Sequence, residues 1–594
     1  MQGEPHAPPR QRARRLPTAA PTAYHELPRQ ALILTIVGLM LALLLSALDQ
    51  TIVGTAMPRI IADLHGFDHY AWVTTAYLLT STASVPIVGK LSDLYGRKLF
   101  LLGGAAAFIF TSALCGLSQD MTQLIVFRGL QGIAGGVLTA TVFTVISSLV
   151  PPAQRGKIQG AFSGVFAFSS IIGPLLGGYL TDQLSWRWVF YVNLPVGLIA
   201  LAVLWFSFPN IRPSVASRQI DYLGAGALVL GVVPLLLALS WGGTEYPWTS
   251  APIVGLLLLA LVMIPVFVGI EARVPEPIIP LALFKNRIVS VAAIALAIMS
   301  IGMFGAILYV PLFIQGVIGT SATHSGSVMT PMMVTMILGS LTGGQIISRT
   351  GRYQIVGLFG LTVTAIGMLL LGGMGPDTDS GTVVRNMLVL GMGLGPTMPV
   401  FTLAAQNAVR FEQLGVVTSL TQFARSIGGT LGAALFGALL TNRFAPAFAA
   451  NVPADVQAAV PAPLLDQFHN PQLLLNPQAA GVIEGQFAAL GPRSQQLYEG
   501  VFGAVRIALA TSLHEVFLFG AVVVAVGAVA TLFLEEIPLR KSFNPNPNPT
   551  PNPSPNPSPN PNPNPNPNAA QALAPAAAAS RRGAPEAAAT APHR

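Results

Sequence analysis

Charge is what this sequence has least of. Of its 594 residues only 9% are Asp, Glu, Lys or Arg, against 52% hydrophobic. Soluble domains carry about 25% charged residues, so the chain cannot cover a water-facing surface, and its mean hydropathy of +0.63 points to lipid as its solvent. Cysteine is nearly absent: Cys115 alone excludes an internal disulfide and any multi-cysteine metal site, and its place in an apolar run makes it a packing residue. No His, Cys or carboxylate cluster has ligand spacing, so neither a metal nor a cofactor is expected. No glycine loop ends in Lys-Ser/Thr, which argues against ATP and in favour of an ion gradient as the energy source. No second catalytic group accompanies the one carboxylate inside an apolar run, so an enzyme is not expected.

The excess of basic residues, 31 Lys and Arg against 23 Asp and Glu, forms no dense patch that would fit nucleic acid. The basic residues fall instead at the ends of apolar runs, where membrane proteins carry them. The first 30 residues are rich in Pro and Arg, and the apolar run that follows outlasts a signal peptide, so it is expected to remain as the first span.

A helix needs about 20 mostly apolar residues to cross a bilayer. On that criterion fourteen spans begin near Leu32, Tyr70, Leu99, Thr122, Ile158, Trp188, Tyr222, Ile253, Ile288, Ser325, Ile355, Val383, Gly415 and Leu513. Arginines precede the first span, and every second connection after it is basic, including Lys90, Arg97 and Lys98, then Arg155 and Lys157, then Arg349 and Arg352. The intervening connections hold mainly Asp and Glu. Both termini are therefore expected in the cytoplasm, which requires an even count of spans.

Residues 441–505, rich in Ala, Pro and Gln, are expected to form a long external connection. The helical spacing of Tyr498, Val501, Phe502, Val505 and Leu509 starts the last helix before its apolar run. Beyond residue 540 an Asn-Pro repeat and Ala-rich sequence are expected to be a disordered spacer.

An internal repeat decides the architecture. Gly89-Lys-Leu-Ser-Asp93-Leu-Tyr-Gly96-Arg97-Lys98 follows the second span, and a weaker echo, Gly344 to Arg352, follows the tenth. The offset (344 − 89 = 255 residues) covers eight spans where two six-helix halves would give six. Two inserted spans supply the difference. The expected fold is all-α and polytopic: a tail (1–30), a six-helix half (31–210), two inserted helices (211–275), a second half (276–540) and a cytoplasmic tail (541–594). The fifth and thirteenth spans also match, Gly173-Pro174-Leu-Leu-Gly177-Gly178 with Gly428-Gly429-Thr-Leu-Gly432, glycines that permit close helix packing.

These motifs in order resemble the major facilitator superfamily, in its fourteen-span drug:proton antiporter branch. Leu48-Asp49-Gln-Thr51 through Pro58 is similar to the branch's first-span signature, Gly89 through Lys98 to the loop signature, and Arg128-Gly129-Leu-Gln131-Gly132 to the fourth-span motif. Gly164 with Gly173-Pro174 and Gly177-Gly178 resembles the fifth-span antiporter motif, and Trp186 through Pro195 the start of the sixth span. Ser348 departs from the pattern where the second-half loop would carry an acid. The resemblance implies a monomeric, proton-coupled secondary antiporter in the plasma membrane, exporting small lipophilic, often cationic, drugs by alternating access. A facilitator-fold importer of a defined solute, or a non-transporting ligand or lipid sensor, is the alternative.

Asp49 stands about 17 residues into the first run, roughly 25 Å along a helix. An intramembrane carboxylate costs about 2.5–3.5 kcal/mol on insertion scales. Arg128 enters the fourth span from the other side at a similar depth. The pair is expected to be the proton site and its tuning cation; a solvated Asp49 at the outer interface is the alternative. Gly89, Asp93, Gly96, Arg97 and Lys98 form a tight turn with a conformational role implied by the resemblance. Gly173, Pro174, Gly177 and Gly178 are expected to pack a kinked fifth span against a neighbour, limiting leak. Gln131, Gln315, Gln406, Asn407, Gln422 and Arg425 are the candidates for cavity polarity, although amides in apolar helices as often bond a neighbouring helix.

Overall fold

A computed structural model describes residues 28–64, 70–209, 219–243, 245–320, 322–466, 468, 485–487 and 493–539. The N-terminal arginines before Arg29, Arg212 and Arg218, much of the external connection and the Asn-Pro tail lie outside the described residues. The described chain is helical and contains no strand. The first half comprises α1 (Arg29–Leu64), α2 (Tyr70–Tyr95), α3 (Arg97–Leu117), α4 (Met121–Leu149), α5 (Pro152–Gln183) and α6 (Asn193–Ser207). Next come α7 (Tyr222–Trp241) and α8 (Ala251–Glu271). The second half holds α9 (Arg287–Gly316), α10 (Ala322–Thr350), α11 (Tyr353–Gly372), α12 (Ser380–Asn407), α13 (Leu414–Asn451) and α14 (Ser494–Thr531).

Thirteen helices among the described residues are long and apolar enough to span a membrane. The remaining long helix is α2, whose apolar residues are interspersed with Thr74, Thr75, Thr80, Ser81, Thr82 and Ser84. Asp120, Asp221, Asn286 and Asp379 cap α4, α7, α9 and α12, each accepting a backbone N–H of the first turn. The sixth span opens with one helical turn, Trp188–Tyr191, before α6. Pro195 has no amide to offer the Tyr191 carbonyl four residues back, which accounts for the interruption.

One expectation needs correcting. Residues 441–451 are not connection but the end of α13, which runs to Asn451. Leu440, Phe444 and Phe448 are buried at a four-residue spacing, so an apolar stripe carries the helix past Pro446.

Contacts between connections fix the parity of the bundle. At one end, Lys90 pairs with Glu276, Lys98 bonds the Trp205 carbonyl, Asn286 bonds the Ala408 carbonyl and Arg287 pairs with Glu535. These residues stand in or beside the second, sixth, eighth and twelfth connections and the stretch after α14, which therefore share one end. At the other end, Asp63 in the last turn of α1 meets Trp186 and Arg187, and Arg506 bonds the Pro376 carbonyl. Asp63 lies beyond the spanning part of α1, and hydrogen bonds from Trp186 and then Arg187 hold its carboxyl below the usual range.

The halves meet through α2 with α13 and through α5 with α10. The inserted α7 packs on α8 and touches α2 and α13. α8 buries little beyond Ile253, Ala260, Phe267 and Glu271, so its remaining face is apolar and outward.

Candidate functional site: a buried carboxylate and a central cavity

Asp49 sits in the body of α1 and is wholly buried. Its Oδ2 accepts a hydrogen bond from Arg128 Nη1 at 2.6 Å. Its Oδ1 accepts from Gln131 Nε2 and Asn193 Nδ2, each at 2.9 Å. All of these partners are donors, and an ionised carboxylate offers only lone pairs, so the cage matches the charged form. Arg128 and Gln131, three residues apart on α4, share one helix face, and Asn193 begins α6. Arg128 is 2% exposed. Its Nη1 also reaches Gln131 Oε1 at 2.8 Å, its Nε donates to the Val73 carbonyl at 3.2 Å, and its guanidinium stands 4.4 Å from the Tyr77 ring centre. Asn193 Nδ2 further bonds Ser112 Oγ at 3.0 Å, and the Cys115 thiol donates to Gln131 Oε1 at 3.4 Å. The lone cysteine therefore borders the cage.

The basic end of the bundle is closed by backbone-close contacts between the halves. A Cβ on Gly89 would lie against the Ser419 hydroxyl of α13 and 2.6 Å from its Cβ. The repeat-related Gly344 of α10 stands in the same way against Gly156 of α5, where a Cβ on Gly156 would fall 2.8 Å from the Gly344 carbonyl oxygen. Asp93 accepts from Arg97 Nη2 at 3.0 Å, and its carboxylate crowds Gly415 in the first turn of α13, where a helix N-terminus favours an anion. Gly96 has φ +101° and its counterpart Gly351 φ +74°, a region that side chains with a Cβ resist. Arg155, also buried, reaches across to Gln406 Oε1 at 3.4 Å.

Between the halves lies a cavity of about 130 Å³. α5 contributes Ser163, Phe166 and Ser170; the second half supplies the other lining residues, among them Met299, Met303, Met333, Met336 and Met398. Among the described residues the one charged group in its wall is Arg425 of α13. Arg425 Nε donates to Gln422 Oε1 at 3.0 Å, and the guanidinium stands 5.9 Å from the Phe166 ring centre.

The profile of the Major Facilitator Superfamily matches residues 39–433. The chain belongs to this superfamily. Among its relatives is the multidrug transporter protein MdtP of Bacillus subtilis, 44% identical over 85% of this chain and 93% of that protein. Multidrug resistance protein 3 of the same organism is 38% identical over 84% of this chain and 94% of its own length. The human organic anion transporter MFSD10 aligns in three dimensions with a TM-score of 0.51 at 14% identity, over 84% of this chain and 99% of that one. At that identity the likeness speaks for the shared facilitator fold alone.

Within that fold the sequence-predicted residues separate into three places. Asp49, Arg128 and Gln131 come together in the cage, so Gln131 serves the carboxylate and does not line the cavity. Gln406 and Asn407 lie at the basic end: Gln406 Nε2 bonds Thr418 Oγ1 at 3.0 Å and Asn407 Nδ2 bonds the Pro538 carbonyl at 3.2 Å. Gln315, late in α9, is not in the cavity wall, whereas Gln422 orients Arg425 beside it. Lys98 caps the end of α6 through the Trp205 and Phe208 carbonyls, a helix-terminus contact apart from the closure.

The fifth-span glycines also divide. A Cβ on Gly173 would strike Thr51 of α1, and one on Gly177 would strike Thr55 and fall 2.6 Å from the Ile52 carbonyl oxygen. Gly178 meets nothing within 4 Å, because the next residue on a helix turns about 100° from its neighbour. α5 continues as helix through Pro174. Ser112 and Tyr77 complete the cage without having been singled out in the sequence, and Asn193 joins it from the stretch Trp186 through Pro195, which was read as the start of the sixth span and given no site role. The one signal was an amide, Asn193, at the head of an apolar run.

Proposed function

We propose that this chain is a proton-driven exporter of small lipophilic molecules, with its basic end and both termini in the cytoplasm of a cell whose plasma membrane it spans. The two six-helix halves rock about the central cavity, with α7 and α8 as an inserted peripheral pair. The observation that carries the reading is the all-donor cage around Asp49. A proton on that carboxyl gives it an O–H that faces only N–H donors until an amide such as Asn193, whose Oδ1 is buried and unpartnered, turns over, and it removes the counter-charge of Arg128. Each change is costly in a dry interior, so protonation favours a different arrangement of α1, α4 and α6.

That rearrangement has a physical route to the cavity. Thr51, two residues past Asp49, donates to the Ser169 carbonyl of α5 at 3.0 Å, and the neighbouring Ser170 lines the cavity. Pro174 lacks the amide that would bond the Ser170 carbonyl, which leaves α5 a soft point there. Asp49 itself is not in the cavity wall, so proton and cargo compete through the α1–α5 contact and not for one carboxylate. The names of the Bacillus relatives support a multidrug cargo, and the basic connections support the orientation.

The test uses the purified protein in proteoliposomes with an imposed proton gradient, reading accumulation of a lipophilic dye on the acidic side. Wild type is expected to accumulate dye, and Asp49→Asn to lose gradient-driven accumulation while retaining dye binding. Undiminished accumulation in that variant would overturn the assignment of Asp49. Movement only with the proton would replace export by import, and binding without any transport would leave a sensor.

A further inference from the structure

The cavity also speaks to the charge of its cargo, and this step rests on its being the transport site. Its walls are methionine, aromatic and aliphatic side chains with two serine hydroxyls, and among the described residues they include no carboxylate. A cavity built for cations would be expected to offer a carboxylate or an aromatic box to balance them. This one offers the opposite sign. Arg425 lies about ten residues into an apolar helix and forms no ion pair among the described residues, where each other arginine facing the bundle interior has an anion or several carbonyls beside it. Its Nε is used by Gln422, which leaves the two terminal nitrogens without a hydrogen-bond partner among the described residues. Gln422 has a matching gap: its Nε2 is buried and unpartnered. Ser163 and Ser170 donate back to the Gln159 and Phe166 carbonyls of their own helix, so they do not supply the missing acceptor.

We infer that the cavity selects lipophilic anions: molecules with an apolar body for the methionine wall and one carboxylate, sulfonate or similar acid group for Arg425. A guanidinium presents parallel N–H bonds that match such a group, and in a low-dielectric wall the pairing is far stronger than in water. Methionine side chains are flexible and polarisable and adapt to irregular bodies, so the apolar part is loosely specified while the sign of the charge is not. The cavity is smaller than the roughly 300–1,000 Å³ of drug-sized sites, so cargo of that size enters an opened form, in which the unpaired guanidinium remains the charged landmark.

Tetraphenylborate and tetraphenylphosphonium test this, because they share one body and differ in sign. Equilibrium dialysis of each against the full-length purified protein measures binding without any gradient, so the result stands or falls separately from proton coupling. Wild type is expected to bind the borate more tightly than the phosphonium. Tetraphenylborate offers no oxygen to the guanidinium, so only charge attraction is lost in Arg425→Gln, which is expected to weaken borate binding roughly tenfold or more and to leave phosphonium binding unchanged or improved. Ser170→Asp, which places a carboxylate in the same wall, is expected to shift the preference toward the phosphonium even if Arg425→Gln does not fold. Asp49→Asn is expected to keep the borate preference whatever it does to transport. A wild type that prefers the phosphonium, or borate binding that is the same in Arg425→Gln and Ser170→Asp as in wild type, would overturn the inference.

Discussion

Neutralising one member of the Asp49–Arg128 pair should harm the protein more than neutralising both. Removing one partner of a buried ion pair costs about 3–5 kcal/mol, because the other charge is left without compensation. Here the residual partners differ. Without the Asp49 charge, Arg128 keeps Gln131 Oε1, the Val73 carbonyl and the face of Tyr77; without Arg128, Asp49 keeps two amide donors. Both single variants, Asp49→Asn and Arg128→Met, are therefore placed toward the lower end, at about 3 kcal/mol each. Additivity would put the double variant near 6 kcal/mol, a large part of the roughly 5–15 kcal/mol that holds a folded protein together. The double variant leaves no buried charge behind, so we expect it to be at least as stable as either single one. Cys115 supplies the assay: it is the only thiol, it is buried, and it touches Gln131 in the cage. A fluorogenic maleimide then reports opening of this region on heating. The single variants should label at a lower temperature than wild type, with the double variant recovering. Labelling of the double variant at the temperature expected from additive losses would refute the coupling drawn from the geometry.

Two further outcomes follow from the glycines. Gly177→Ala should disrupt transport through its clash with Thr55 and Ile52, while the adjacent Gly178→Ala, facing open space, should leave transport and membrane abundance intact; equal effects in a vesicle assay would contradict the packing of α5 on α1. Gly89→Leu should hold the basic end open, and labelling of a cysteine placed at Ser419 by a membrane-impermeant reagent should rise accordingly. Labelling as slow as in the Gly89 background would show that this contact does not close the bundle.

Much of the fold was legible because its two signals are strong and local. Apolar runs long enough to span a bilayer located the helices within a few residues, Tyr353 for Ile355 and Ala322 for Ser325, with the longest lead at Ser494 against Leu513, where the helix begins before its apolar stretch. The repeat placed Gly96 and Gly351 as equivalent turns, and both have positive φ. The site was legible only in part, because an apolar helix gives no sign of which face meets which neighbour. Gln131 and Gln406 look alike in sequence, each an amide in an apolar run. One bonds Asp49 and the other closes the basic end, a difference fixed by depth and rotation. Asn193 was hidden by its place at a helix start, where a capping residue would also be expected. The last turns of α13 were obscured by Pro446 and an Ala-rich composition, although the stripe Leu440, Phe444, Phe448 was there to be read.

The repeat also shows what duplication has left to each copy. Counted at the repeat offset, the partner of Asp49 is Phe304, which packs over Gly429, so the second copy has an aromatic ring where the first has its acid. In return, most of the cavity wall and its only charge come from the second copy. On the proposed reading, energy capture and cargo recognition occupy different halves of the repeat. Substitutions along α9, α10, α12 and α13 can therefore change which molecules are accepted while the carboxylate, its arginine and its two amides stay untouched. A lineage, or an engineer, can retune the spectrum of such a pump without rebuilding its engine.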